Sequence, residues 1–209
     1  MAEIVAALLT SHAPLITGRP EVGKPEQRDH LYAGFAELRR RLAAGIDFAY
    51  SYEIESWDEL SVPLHFLTPE GGVPIAPVYT NCGAPPLPTP RRCHEVGALV
   101  GAFVRSRPAT ERVALVATGG VSHWVGTPET GRINPDWDHR VLDHIARADI
   151  EPLLDWSWAE IERDGGNGGQ EIRNWIALLG AVPGWKGEVL AYAPVAEWIT
   201  GCATVWVHP

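Results

Sequence analysis

RVALVATGGVSHW, residues 112–124, decides how this chain is read. Its first seven residues, Arg112 to Thr118, form an almost unbroken apolar run, the pattern of a strand covered on both faces. The run passes directly into Gly119 and Gly120, and then into Ser122, His123 and Trp124. In open α/β sheets, ligands collect outside the carboxyl ends of the strands, so a histidine just past such a strand stands where a site is expected. The glycine pair permits close backbone approach and would aim Ser122 and His123 into a cleft. A tight strand-to-helix turn would use the same two glycines.

Outward from this stretch, strands and helices alternate. Ile4 to Thr10 is a second continuous apolar run, and it ends on Ser11 and His12 just before Pro14. Residues 25–44 place Leu31, Phe35, Leu38 and Leu42 at helical spacing, and residues 91–105 do the same with Val96, Leu99, Val100 and Phe103. Residues 48–54 and 73–80 read as strands, and residues 81–90, NCGAPPLPTP, as a loop whose prolines deny backbone donors. Helices are expected over 134–147, where Asn134 and Pro135 make a cap and first-turn pair, over 152–163, and over 171–181. Strands at 188–195 and 202–208 complete the pattern. The expected architecture is α/β: a single domain over residues 1–209, with a mostly buried central mixed or parallel sheet flanked by helices.

The formal charge of −9 opposes nucleic-acid binding, which relies on clustered Lys and Arg, and Arg39, Arg40 and Arg41 read as a solvated helix face. No run approaches the roughly 18 apolar residues that span a bilayer, and Glu3 stands where a leader peptide would be basic. A cytoplasmic protein with no membrane partner is expected. Cys82, Cys93 and Cys202 lack the spacing of a zinc knuckle or a disulfide framework and read as buried free thiols. There is no GxGxxG or GxxxxGK[ST], so a nucleotide phosphate loop is not expected.

The other chemistry-bearing feature is DGGNGGQEIRNW, residues 164–175. A glycine-rich lead places Glu171 at a helix start, where the dipole favours the ionised carboxylate, although four glycines in six residues exceed what a helix start needs. His12, Glu171 and one more histidine would make the two-histidine, one-carboxylate set that holds non-haem Fe(II) and leaves positions open. His123 would then act as an unligated acid or base. His30, His94, His139 and His144 fall on predicted helices among polar neighbours and read as surface residues. Trp124, Trp175 and Trp198 either border an aromatic substrate or pack in the core.

SHAPL, NCGAPPLPTPRRC, TGGVSHW, GRIN, NGGQEIRNW and the pattern Y.PV.EW.TG occur in one order along the chain. In this the chain resembles the class III extradiol ring-cleavage dioxygenases, and within them the catalytic subunit of the protocatechuate 4,5-dioxygenase type. The resemblance implies extradiol cleavage of a catechol-type ring with O2, giving a ring-opened semialdehyde acid. It further implies Fe(II) held by His12 and Glu171, with His123 as acid or base and Ser122 and Trp124 beside the substrate. The expected partners are a small aromatic substrate and O2, together with a second copy of the chain or a related subunit.

Two departures accompany the resemblance. The family's second iron-binding histidine, in a Gly-x-Asp-His segment, has no counterpart, because RRRLAAG at 39–45 runs directly into IDFAYSYE at 46–53. The chain is therefore read as shortened between residues 45 and 46. A further active-site histidine is replaced at SWDELSVPL by Asp58, which would need a strongly raised pKa to donate a proton near neutrality. Asp58, Glu59 and His65 are the nearest substitutes for the missing ligand or acid/base group, with His65 read as following a strand residue. The alternatives to a working dioxygenase are a non-catalytic subunit partnering an intact chain, and a non-oxidative metal-dependent hydrolase or decarboxylase of the same fold.

Overall fold

We describe the computed structural model over residues 3–9, 58–69, 73 and 75–209. The helix expected at 25–44 and the strand expected at 48–54 lie outside these residues, as do His12 and His30. The element order is β1 (Glu3–Leu9), α1 (Asp58–Leu67), α2 (Pro90–Arg105), β2 (Arg112–Thr118), α3 (Pro135–Ala146), α4 (Glu151–Leu154), α5 (Trp158–Gly165), α6 (Ile172–Ala181), β3 (Lys186–Val195) and β4 (Thr200–His208). A 3-10 turn, Gly168–Glu171, leads into α6.

The strands form one mixed sheet in the order β2-β1-β4-β3. β1 and β2 run parallel, and their register pairs Leu9 with Thr118, so the two strands end level with each other. β4 pairs antiparallel with both β1 and β3. Alternate residues of β4, namely Ala203, Val205 and Val207, enter a core shared with Trp137, Val141 and Ile145 of α3, Ile161 of α5 and Ile172, Trp175 and Ile176 of α6. Such period-two burial is what a strand with one face on the core requires.

Several expectations change here. β2 has the expected bounds but is not covered on both faces: Ala117 is 7% exposed and Val116 42%, because β2 is an edge of the sheet among the described residues. Residues 73 and 75–80 make no strand, and Val73, Ile75 and Val78 are exposed. Pro74 and Pro77 remove two of the donors a ladder would need. The helix expected at 152–163 is split between α4 and α5, because Ser157 and Glu160 form a reciprocal capping box that starts a new helix. His65 lies on α1, not after a strand, and its side chain is exposed. The Asn134–Pro135 cap forms as expected, with the Asn134 side chain accepting from the Trp137 amide.

α2 and α6 cross closely because small residues line the contact. A Cβ on Gly97 would stand 1.7 Å from the Ala177 carbonyl oxygen, and one on Gly101 2.2 Å from that of Ala181. Gly97→Ala must therefore part the helices, at about 1–3 kcal/mol for an overpacked contact. The expected result is a lower urea midpoint at unchanged slope. An unchanged midpoint would mean that the helices do not cross there.

Candidate active site

The chain leaves β2 through a segment that neighbouring elements hold on several sides. The Asn174 side-chain amide donates to the Thr118 carbonyl at 3.0 Å and the Trp175 indole to that of Gly119 at 3.1 Å, tying the strand end to α6. Val121 N–H donates to the Gly201 carbonyl and Gly201 N–H to that of Ser122, both at 2.9 Å, tying it to β4. His123 N–H donates to the Gly165 carbonyl at 2.9 Å, and Gly168 N–H returns a bond to the His123 carbonyl at 3.0 Å. The imidazole is thus fixed through its own backbone before any side-chain contact is counted.

His123 is fully buried, and its Nε2 stands 3.7 Å from Oε1 of Glu171, itself 5% exposed. Oε2 of Glu171 accepts the Gly120 N–H at 2.7 Å. Nδ1 of His123 is 3.3 Å from the Val121 carbonyl. When Nδ1 carries the proton and donates to that carbonyl, Nε2 turns a lone pair toward Oε1 of the carboxylate. Two acceptors then face one another, an arrangement that a proton or a cation relieves.

Glycines make this proximity possible. A Cβ on Gly168 would lie 2.0 Å from both Nε2 and Cδ2 of His123, and one on Gly120 2.8 Å from its Cε1. Gly119 has φ +141 and Gly166 φ +84, in the region that side chains rarely adopt. The surplus of glycines at 165–169 is therefore explained by packing: two meet the imidazole or carbonyl of His123, and Gly165 meets the indole of Trp137.

Behind Glu171 lies Arg173, 1% exposed, which donates to the Pro88 carbonyl at 2.7 Å and to both oxygens of Gln170. It secures the NCGAPPLPTP loop to the turn carrying Glu171. Burial pushes the guanidinium pKa down, opposed by the neighbouring Cys82 and Cys93. Burial also pushes the Cys82 thiol up, with the charge of Glu171 adding to the effect, and raises Cys93 to about 11. All three cysteines are free, as expected, and Cys82 and Cys93 are inert buried thiols rather than nucleophiles.

The structure brings together His123 and Glu171 of the expected site; His12 lies outside the described residues. Ser122 is fully buried, with its amide donating to Asp138 and its hydroxyl oxygen accepting from the Asn134 amide, which favours a supporting role over substrate contact. Trp124 is 3% exposed, and the Arg132 guanidinium lies 4.4 Å above its ring. Of the substitutes, Glu59 is buried on α1 and accepts from the Tyr79 hydroxyl at 3.4 Å, which with burial lifts that phenol to about 12. Asp58 is the first residue of α1, and its side chain lies outside the described set. Among the described residues, no three His, Cys, Asp or Glu side chains gather about one point. A buried carboxylate with one oxygen held by a backbone amide and the other turned to the centre is a donor that suits a divalent transition-metal ion, with the His123 imidazole beside it as an unligated neighbour. Missed from sequence were Asp138 and the ring contacts of Gly120 and Gly168, for which the GRIN motif and the glycine surplus were the available signals.

Residues 60–203 match the family model described as the catalytic LigB subunit of aromatic ring-opening dioxygenase. A 2,3-dihydroxyphenylpropionate/2,3-dihydroxicinnamic acid 1,2-dioxygenase of Photorhabdus laumondii is 30% identical over 213 aligned positions, covering 79% of this chain and 67% of the relative. A gallate dioxygenase of Pseudomonas putida is 36% identical over 110 residues, 53% of this chain and 32% of that protein. The crystal structure of an uncharacterized protein from Escherichia coli K12 superposes with a TM-score of 0.55 at 15% identity, covering 99% of this chain and 82% of that one, and shows the shared fold.

Proposed function

The chain belongs to the family of catalytic LigB subunits of aromatic ring-opening dioxygenases, the class III extradiol enzymes, and from that premise we propose that it opens a catechol-type ring with Fe(II) and O2. The product is a ring-opened semialdehyde acid. The observation that carries the site assignment is the buried meeting of His123 and Glu171 at 3.7 Å beyond the end of β2. β1 ends level with the end of β2, and His12 follows its last residue by three positions in the sequence.

Glu171 and His12 hold the iron in this reading. Glu59, the buried candidate on α1, is the first substitute to test for the missing third ligand. When bound, the metal supplies Lewis acidity to the catechol oxygens and a site for oxygen. The protein's own residues do the rest. Oε2 of Glu171 is fixed by the Gly120 amide, leaving Oε1 toward the centre, and Nε2 of His123 takes or returns a proton of the substrate hydroxyl. The burial of both groups keeps water from competing for that proton. Ser122, held by Asp138 and Asn134, anchors the backbone next to His123, and Trp124, the residue after it, is assigned to the apolar border of the substrate.

The relatives named above act on ring systems with adjacent hydroxyls, which supports a catechol as substrate class. The matches to a catalytic subunit favour a working enzyme over a silent partner or a hydrolase. No helix among the described residues is long and apolar enough to cross a membrane. The test is anaerobic loading with Fe(II), followed by oxygen uptake and absorbance of the ring-opened product with 2,3-dihydroxyphenylpropionate, gallate and protocatechuate. One-for-one oxygen uptake and product are expected with at least one of these. Metal retention with no oxygen uptake from any catechol would overturn the reading.

A further inference from the structure

The GRIN motif, residues 131–134, leads into a helix that carries a fully buried carboxylate. Asp138, in the first turn of α3, is 0% exposed. Its Oδ1 accepts the Ser122 amide at 2.8 Å, and its Oδ2 accepts the Tyr192 hydroxyl of β3 at 2.8 Å. The Ser122 hydroxyl is a further hydrogen-bond partner of the same carboxylate. Gly201 of β4 closes the other side, where a Cβ would stand 2.1 Å from Oδ2. Asn134 adds two ties: its amide donates to the Ser122 hydroxyl oxygen at 2.7 Å, and its side-chain amide donates to the Asp164 carbonyl at 2.8 Å, just before the glycine segment.

A buried charge is costly unless it is hydrogen-bonded, and this one gathers donors from two elements at the residue preceding His123. Burial alone raises its pKa, and the three hydrogen bonds oppose the rise. Helix-dipole compensation does not need burial: Asp136, nearer the start of α3, is exposed and serves that end. We infer that Asp138 is a positioning residue for His123, setting the peptide plane of Ser122 and, through it, the direction in which the imidazole meets substrate.

This inference rests on His123 as the acid–base group, and the experiment separates the two. Steady-state kcat and KM with the accepted catechol, together with iron content, are measured for Asp138→Asn, Tyr192→Phe, His123→Gln and the double variant Asp138→Asn/His123→Gln. Asp138→Asn is expected to lower kcat by about 10–100-fold, the range for partners that orient an active-site ligand, with KM and iron content within twofold of wild type. Tyr192→Phe, which keeps the carboxylate and removes one donor, should lower kcat by a few-fold in the same direction. In the His123→Gln background, Asp138→Asn should cost less than twofold further, because residues that act as a unit are not additive. Wild-type kcat in both Asp138→Asn and Tyr192→Phe, with His123→Gln impaired, would overturn the positioning role alone. So would losses that multiply in the double variant. Wild-type kcat in His123→Gln would instead remove the acid–base reading, and the inference with it. Should Asp138→Asn fail to fold, Tyr192→Phe decides by the same comparison.

Discussion

Glu171→Gln is expected to leave the protein folded but without iron, and to lower turnover by about 10³-fold, corresponding to roughly 4 kcal/mol of lost metal assistance. The substitution is chosen for its shape. Oε2 of Glu171 accepts the Gly120 N–H at 2.7 Å, and the carbonyl oxygen of a glutamine accepts that bond equally well. The change therefore falls on Oε1, which faces Nε2 of His123 at 3.7 Å. There an anionic acceptor becomes a neutral amide donor, and a cation loses its only anionic oxygen among the residues seen to converge at this point. The measurements are iron per chain after anaerobic loading and the thermal midpoint. Iron at wild-type stoichiometry, with a folded protein, would remove Glu171 from the ligand set.

Much of this arrangement is legible in the sequence wherever a local rule has no competitor. β2 appears with the expected bounds because an apolar run is stopped on one side by Glu111 and Arg112 and on the other by two glycines. α3 begins where Asn134 and Pro135 say it should, since cap and first turn are set by adjacent residues. Local rules also mislead when two of them meet. Val73 to Thr80 looks like a buried strand by hydropathy, but its two prolines decide the matter. Residues 152–163 look like one helix by periodicity, but Ser157 and Glu160 cap a second. The role of Asp138 is invisible for a different reason. An acidic residue early in a helix matches the dipole, and only the packing of Tyr192 and Ser122, 54 and 16 residues away, shows that this one is a buried acceptor. The juxtaposition of His123 and Glu171 is legible only through the resemblance to a known family, because nothing local to either residue points to the other.

Gly168→Ala is expected to lower turnover as severely as loss of the imidazole, about 10²–10⁴-fold, and to destabilise the fold by roughly 1–3 kcal/mol. The added methyl would lie 2.0 Å from both Nε2 and Cδ2 of His123, far inside any real carbon contact. Neither side has an easy way out. Gly168 N–H donates to the His123 carbonyl at 3.0 Å, so moving the turn breaks that bond and shifts Glu171, which closes the same 3-10 turn. Rotating the imidazole instead separates Nδ1 from the Val121 carbonyl and Nε2 from Glu171. Gly120 packs against the ring's Cε1 and Nδ1 atoms, where a Cβ would sit 2.8 and 2.9 Å away, so space is short there as well. Gly169→Ala provides the contrast within the same segment. Its added methyl meets the Trp137 ring at 3.3 Å, a contact that a few tenths of an ångström relieve, and none of its three nearest neighbours is an imidazole atom. Turnover in Gly169→Ala should therefore stay within a few-fold of wild type while Gly168→Ala falls by orders of magnitude. Equal activities in the two variants would show that the imidazole does not depend on the space Gly168 leaves open.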